Sequence, residues 1–181
     1  MSHWLYQKLS DENLMRAFAS GRSRAFDTLY ARHRVPLFNF LRRQCGSEAV
    51  AEELAQDAWM AVIRGSSNYS PKAKFTTWLY RIAHNRLVDY WRKFGPTANV
   101  VTEELTDIYA SKDRSSQDAS LHELLAQLAE LPQEQLTTLL LSIQGFSREE
   151  ISEITAAKPE TVKSRLRYAK ARLKSLVEVE S

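Results

Sequence analysis

The 181-residue chain is 44% hydrophobic and 26% charged, with a formal net charge of +3, proportions that suit a soluble globular protein of one domain or two small ones. No apolar run approaches the ~18 residues of a membrane span, and the start, MSHWLYQKLSDE, lacks the basic lead and long apolar stretch of a secretory signal; a cytoplasmic protein with no membrane insertion is expected. The single cysteine, Cys45, excludes an intramolecular disulfide. His3, His33, His84 and His122 are scattered without ligand spacing, and only five glycines are present, so no metal site, cofactor or catalytic constellation is expected.

The modest net charge hides an uneven distribution. Residues 1–93 carry 15 Lys or Arg and 8 Asp or Glu, a net of +7; residues 94–131 carry 2 and 7, a net of −5; residues 132–181 carry 8 and 7, a net of +1. Within the last part, residues 158–174 hold seven cations and one acid. Two basic stretches separated by an acidic one suit two contacts with one polyanion.

Ser10-Asp11-Glu12 reads as a helix start, since the dipole favours acids in the first turn. Leu14 and Phe18 share a face, and Gly21 ends the helix. In the second helix Phe26, Leu29, Tyr30, His33, Leu37, Phe40 and Leu41 recur at helical steps up to Gly46, with Pro36 expected to kink it. A third helix spans about residues 48–64, with Val50, Leu54, Ala58 and Ala61 as its buried stripe. Its other side carries Glu52, Glu53, Gln56, Asp57, Trp59 and Met60. A Trp beside carboxylates on an outward face suggests a partner surface, and the spacing fits a second packed face equally well. Gly65-Ser66-Ser67-Asn68 and Ser70-Pro71 form a loop. A fourth helix over about residues 74–93 turns Phe75, Leu79, Ile82, Ala83 and Leu87 inward. Arg81, His84, Asn85, Arg92 and Tyr80 then face out, and Gly95-Pro96 stops it.

Residues 69–93 hold six aromatics and six Lys or Arg against one acid. The stretch is either an amphipathic core helix with a solvated basic back, or a surface whose cations screen phosphates and whose rings stack on unpaired bases. Trp78 fits either side. From about residue 97 to 120 the periodicity fades into Ser, Thr, Asp and Lys, the composition of a mobile acidic linker.

Helical spacing then resumes. Leu121, Leu124, Leu125 and Leu128 mark one helix, ended by Leu131-Pro132; Leu136, Leu139, Leu140 and Ile143 mark the next, ended by Gly145. Ser147-Arg148-Glu149-Glu150 has the capping-box pattern, with Ile151 and Ile154 facing inward. Ala156-Ala157-Lys158 makes a tight turn before Pro159, a residue welcome at a first helical position. In the last helix Val162, Leu166, Ala169 and Leu173 fall within one narrow arc, and Glu160, Lys163, Ser164, Arg167, Tyr168 and Ala171 lie opposite, with Thr161 and Arg165 on the flank. Two short helices joined by about three residues, the second rich in cations, spell a helix-turn-helix that reads duplex DNA. Its exposed side has donors and acceptors for base edges and cations for phosphates. The competing reading is a solvated charged helix in an all-α bundle.

These pieces resemble, in order, the bacterial sigma-70 class of RNA polymerase sigma factors, and most closely its two-domain extracytoplasmic-function (ECF) group. SDENLMRAF-SGRSRAFDTLYARHRVPLFNFLRR is similar to the opening segment, AEELAQDAWMAVI to the polymerase-binding helix, and KFTTWLYRIAHNRLVDYWRK to the promoter-opening and minus-ten recognition helix. LAELPQEQLTTLLLSIQGFSREEISEITAAKPETVKSRLRYAKARLK is similar to the C-terminal DNA-reading domain. The resemblance implies an all-α protein of two small helical domains joined by a flexible linker: 1–94 for the polymerase clamp and minus-ten element, 95–118 as the linker, and 119–181 as a helix-turn-helix domain for the minus-thirty-five element. It implies as partners core RNA polymerase, through its large clamp subunit and flap, promoter DNA in duplex and single-stranded form, and an anti-sigma factor.

By position, the resemblance sets Glu53, Gln56, Asp57 and Trp59 against the polymerase clamp. It assigns a flipped minus-ten base to residues 65–72, where Asn68, Tyr69 and Lys72 are candidates, at a cost of a few kcal/mol of unstacking. Lys74, Trp78, Arg81, Asn85 and Arg86 are its candidates for the rest of the minus-ten surface, and Thr161, Lys163, Ser164, Arg165, Arg167 and Tyr168 for the minus-thirty-five element. Where primary sigma factors carry a tandem aromatic wedge, this chain has Arg81-Ile82, which implies weaker melting and narrow promoter choice. The alternative is a helix-turn-helix regulator that acts without replacing a sigma subunit.

Overall fold

The computed structural model describes residues 3–70, 72–95 and 131–179. Every regular element in them is helical: α1 (His3–Gln7), α2 (Asp11–Ala19), α3 (Ser23–Cys45), α4 (Glu48–Gly65), a short 3-10 turn (Ser66–Asn68), α5 (Phe75–Phe94), α6 (Gln133–Ile143), α7 (Arg148–Thr155) and α8 (Pro159–Val179). The all-α expectation holds. Among the described residues no helix is long and apolar enough to cross a membrane. The expected linker and the helix expected at 121–128 lie outside the described residues.

The first unit is built from α1 to α5. Ser10 and Ser47 accept the amides of Asn13 and Val50, satisfying donors that α2 and α4 would otherwise leave free. Gly46, at φ 69°, ends α3 in the left-handed conformation that a Cβ disfavours. α3 runs unbroken past Pro36. The ring lies on an exposed face, where water can satisfy the carbonyl that lacks a proline N–H. Phe40, Phe75, Leu14, Leu29 and Leu79 are fully buried between the helices, each contributing about 1.5–3 kcal/mol by leaving water. Cys45 belongs to this core, at 1% exposure.

Asp11 fastens α2 to α3, accepting from Arg32 and from His33 Nε2 at 2.7 Å each. Burial pushes its carboxyl up, but the hydrogen bonds from His33 and Arg32 outweigh that and hold it below the usual carboxylate range. Arg32 also donates to the carbonyls of Gln7 and Leu9, so α1, absent from the sequence expectation, is tied down by side-chain bonds rather than by its own length.

The second unit is α6 to α8. Leu136, Leu141, Ile151, Ile154, Val162 and Ala169 form its centre. Pairing with a second helical unit was expected; close packing between the two was not. α5 lies along α7, and α3 meets α6. Gln133 Nε2 donates to the carbonyl of Gln44 at 3.1 Å, and the Thr137 hydroxyl bonds the Gln44 side-chain oxygen. Tyr80 is 2% exposed, its ring 5.1 Å from Phe40 of α3 and 4.9 Å from Phe146 before α7. Tyr80 was expected to face solvent, as was His84, which is half-buried. Tyr80 packs on the core of its own unit through Phe40 and is closed over by Phe146, and the His84 ring lies in a cavity lined from both units.

Candidate nucleic-acid interface

The helix-turn-helix is assembled by local chemistry. The Ser147 hydroxyl accepts the Glu150 amide at 3.2 Å while Glu150 Oε2 accepts the Ser147 amide at 2.8 Å, closing the expected capping box. Ala156, at φ 54°, turns the chain out of α7, and Pro159 opens α8. Val162, Leu166 and Ala169 are buried and Leu173 partly so, as the arc predicted.

The opposite side of α8 presents Thr161, Lys163, Arg167 and Tyr168 to solvent and leaves Ser164 half-buried. Lys163 Nζ lies 3.7 Å from Glu160, and the Ser164 hydroxyl donates to the Glu160 carbonyl. The Arg167 guanidinium lies 5.1 Å from the centroid of the Tyr168 ring, which is 55% exposed. One Arg167 Nη donates to the Tyr168 hydroxyl at 3.5 Å, and a guanidinium has further donors to offer an anion or a base edge. Arg165 does not join this set. It is turned toward α6 and paired with Glu134, with its side chain only 20% exposed. The expectation that it faces DNA is corrected: at the flank of α8 it reaches an acid on its own unit first.

A second basic surface runs along α5. Its first turn is held from another helix: the Glu12 carboxylate of α2 accepts the Phe75 amide at 3.1 Å, since the N-cap residue, Lys74, makes no side-chain cap bond. Burial raises the Glu12 pKa, but the bond from that amide and other local hydrogen bonds leave it lowered overall.

The loop before α5 is fastened by rings. Tyr69 lies 5.1 Å from Trp78, which lies 6.2 Å from the buried Phe75. The Trp78 ring covers Gly65, where a Cβ would sit 3.3 Å from Cζ2. Trp78 is therefore half-buried, and its ring packs against the loop. Tyr69 is also half-buried, and its hydroxyl has no hydrogen-bond partner. Burial and the nearby Glu12 carboxylate push its pKa up to about 12, so it stays a neutral donor. Asn68, Lys72, Lys74, Arg81 and Asn85 are exposed, and Arg86 is half-buried. Lys74 Nζ lies 2.9 Å from Glu150 and Arg81 lies 3.8 Å from Glu153, both acids on α7.

The third candidate surface departs from expectation. Glu53, Gln56 and Asp57 are exposed on α4, but Trp59 is 5% exposed. Its ring stands edge-on to Phe26 at 5.7 Å and to Tyr30 at 5.2 Å. The buried stripe of α4 is Ala51, Leu54, Ala55, Ala58, Trp59 and Val62, rotated from the expected Val50–Leu54–Ala58–Ala61 arc. Leu54 and Ala58 are common to both arcs; the rotation brings in Ala51, Ala55, Trp59 and Val62. Trp59 instead forms part of the wall of an open groove of about 570 Å³ between α3 and α4, which Val35, Met60 and Ile63 also line. These three are 54%, 43% and 37% exposed. Val35 and Ile63 were missed, since neither stands out by spacing.

Comparison with known proteins agrees with this geometry. The family described as Sigma-70 region 2 matches residues 29–95, and Sigma-70 region 4 matches residues 121–173. The ECF RNA polymerase sigma factor SigM of Mycobacterium tuberculosis is 32% identical over 171 residues, covering 93% of this chain and 85% of that protein. The chain belongs to the ECF group of the sigma-70 family. The RNA polymerase sigma factor CarQ of Myxococcus xanthus is 32% identical over 165 residues, covering 90% of this chain and 95% of that one. Among solved structures, CnrH in complex with the cytosolic domain of CnrY superposes with a TM-score of 0.70 at 25% identity, over 94% of this chain and 99% of that one. The region 2 match spans α4 and α5 with the loop between them, and the region 4 match spans the helix-turn-helix.

Proposed function

We propose that this ECF sigma-family chain binds core RNA polymerase and directs it to promoters by contacting the minus-ten and minus-thirty-five elements. The observation that carries this reading is the pairing of two basic helical faces in one chain. α8 presents Lys163, Ser164, Arg167 and Tyr168 on the solvent side of a closed helix-turn-helix, and α5 presents Lys74, Arg81 and Asn85 beside a loop fastened by Tyr69 and Trp78. One helix-turn-helix accounts for a duplex contact alone; the second face suits an opened strand.

In this reading residues 1–94 hold the polymerase and minus-ten surfaces, 119–181 the minus-thirty-five surface, and 95–118 join them. Asn68, Lys72, Lys74, Arg81, Asn85 and Arg86 make the minus-ten contacts, with Tyr69 and Trp78 positioning the loop. Thr161 joins the α8 set, whereas Arg165 serves its own unit. Glu53, Gln56 and Asp57 contact the polymerase clamp, with the Trp59 groove beside them. Catalysis belongs to the polymerase. An anti-sigma partner is supported by CnrH, whose solved structure holds the cytosolic domain of CnrY. The test is co-elution of the purified chain with core polymerase on gel filtration. Wild type co-elutes and Asp57→Ala does so less; a chain that never co-elutes would sink the reading.

A further inference from the structure

We propose that Glu134 and Arg165 form a positioning pair that fixes the roll of α8 against α6, so that Arg165 shapes minus-thirty-five selection without touching DNA. The proposal rests on the reading of α8 given above. α8 packs on α6, and its buried side is Val162, Leu166 and Ala169. Apolar contacts hold two helices together but are non-directional, so they tolerate a roll of one helix about its axis. Side chains reach about 5–6 Å from that axis, and a roll of about 20° moves their tips by about 2 Å. A recognition site has to be held within about 0.5 Å, so the apolar contacts need a directional partner.

The bond between Arg165 and Glu134 supplies that direction. Arg165 lies on the flank of α8, between the buried arc and the reading face, and pairs with the Glu134 carboxylate of α6. A tether on the flank lengthens or shortens at once when the helix rolls, whereas one at the centre of the contact would barely change. The guanidinium is planar and its donors are fixed in a fork, so the bond constrains angle as well as length. The Arg165 side chain is 20% exposed against 61% for Lys163 on the reading face; it is turned toward α6 rather than offered to phosphates. The acceptor is held as well. Glu134 stands in the first turn of α6, where the helix dipole favours an acid, and the Thr138 hydroxyl donates to its backbone carbonyl at 2.7 Å.

The test uses the full chain and three variants: Arg165→Ala, Glu134→Gln, and the exchange of Glu134→Arg with Arg165→Glu. Glu134→Gln leaves every residue of α8 in place, and its site is exposed, so it keeps the fold if Arg165→Ala does not; circular dichroism verifies this. Sequencing of the bound fraction from a random 30-base-pair duplex library reads selection. Fluorescence anisotropy on one mixed-sequence duplex at several salt concentrations reads the phosphate contacts. The expected result is a drop of about 2- to 5-fold in the preference for the selected sequence over the mixed one in Arg165→Ala and Glu134→Gln. The exchange recovers most of that preference, and the salt slope is the same in all four chains. A slope smaller by about 0.9 in Arg165→Ala would mean that Arg165 meets a phosphate, and would overturn the proposal. So would full selection in Glu134→Gln, or no recovery in the exchange; in each of these cases the reading of α8 stands. If the wild-type chain binds no duplex or selects no sequence, that reading fails and the positioning pair fails with it.

Discussion

His84 makes the packing between the two units sensitive to acid. Its ring lies in a cavity of about 560 Å³ lined from both units, with Trp91 and Arg92 of α5, Gln133 and Glu134 of α6, Thr155 of α7 and Arg165 of α8. Burial, then the Arg165 charge, push its pKa down from 6.5 to about 4, with Glu134 opposing. If the units separate, the ring meets water and returns to the ordinary value. The packed form therefore holds fewer protons, and its stability is full above pH 6.5 and is lost as pH falls toward 4. At pH 5.5 the loss is about 1.4 kcal/mol, or tenfold in the packed-to-separated ratio; this is an upper figure, since the ring is only half-buried and water reaches part of it. An NMR titration of the His84 ring reads the effect directly. A midpoint below 5 is expected in the wild-type chain, rising toward 6.5 in Glu150→Gln/Glu153→Gln, which loses the ion pairs to Lys74 and Arg81. A wild-type midpoint near 6.5 would refute the reasoning, as would acid-induced expansion that persists in His84→Gln.

Three further outcomes follow from named contacts. Trp59→Ala removes a buried ring from the α3–α4 wall and is expected to cost about 3–5 kcal/mol in urea unfolding, so loss of polymerase binding in that variant reports folding as well as contact. Glu12→Ala removes the cap on the Phe75 amide and should cost about 1 kcal/mol, read as a lower melting temperature with unchanged α8 binding to duplex DNA. Arg167→Ala should relax minus-thirty-five selection by about 1–3 kcal/mol if the side chain makes a bidentate base contact, read by competition binding against mismatched duplexes.

Helix boundaries were legible because local chemistry sets them. Ser10 and the Ser147–Glu150 box are caps within four residues, and Pro159 starts α8 where a missing N–H is harmless. The exposed face of α8 was legible for the same reason, because its buried arc is regular. What failed was long-range. Nothing near Phe75 in the chain announces that Glu12, 63 residues earlier, caps α5. Tyr80 meets Phe40 of its own unit and Phe146 of the other, and His84 lies in the cavity between the units, contacts that no neighbour in the chain announces. Arg165 is one more cation in a basic run until Glu134 is brought beside it. Trp59 failed differently: the spacing fitted a packed face as well as an outward one, and Phe26 and Tyr30, which cover its ring, lie on another helix.

The central claim is that this chain directs core polymerase to promoters. Run-off transcription with purified core RNA polymerase, the full chain and a library of promoter sequences tests it most directly. Transcripts from a narrow set sharing one minus-ten and one minus-thirty-five sequence are expected, since the resemblance sets Arg81-Ile82, and no aromatic pair, at the position of the melting wedge. No transcript from any template would contradict the account, and efficient initiation at many divergent promoters would contradict the narrow choice.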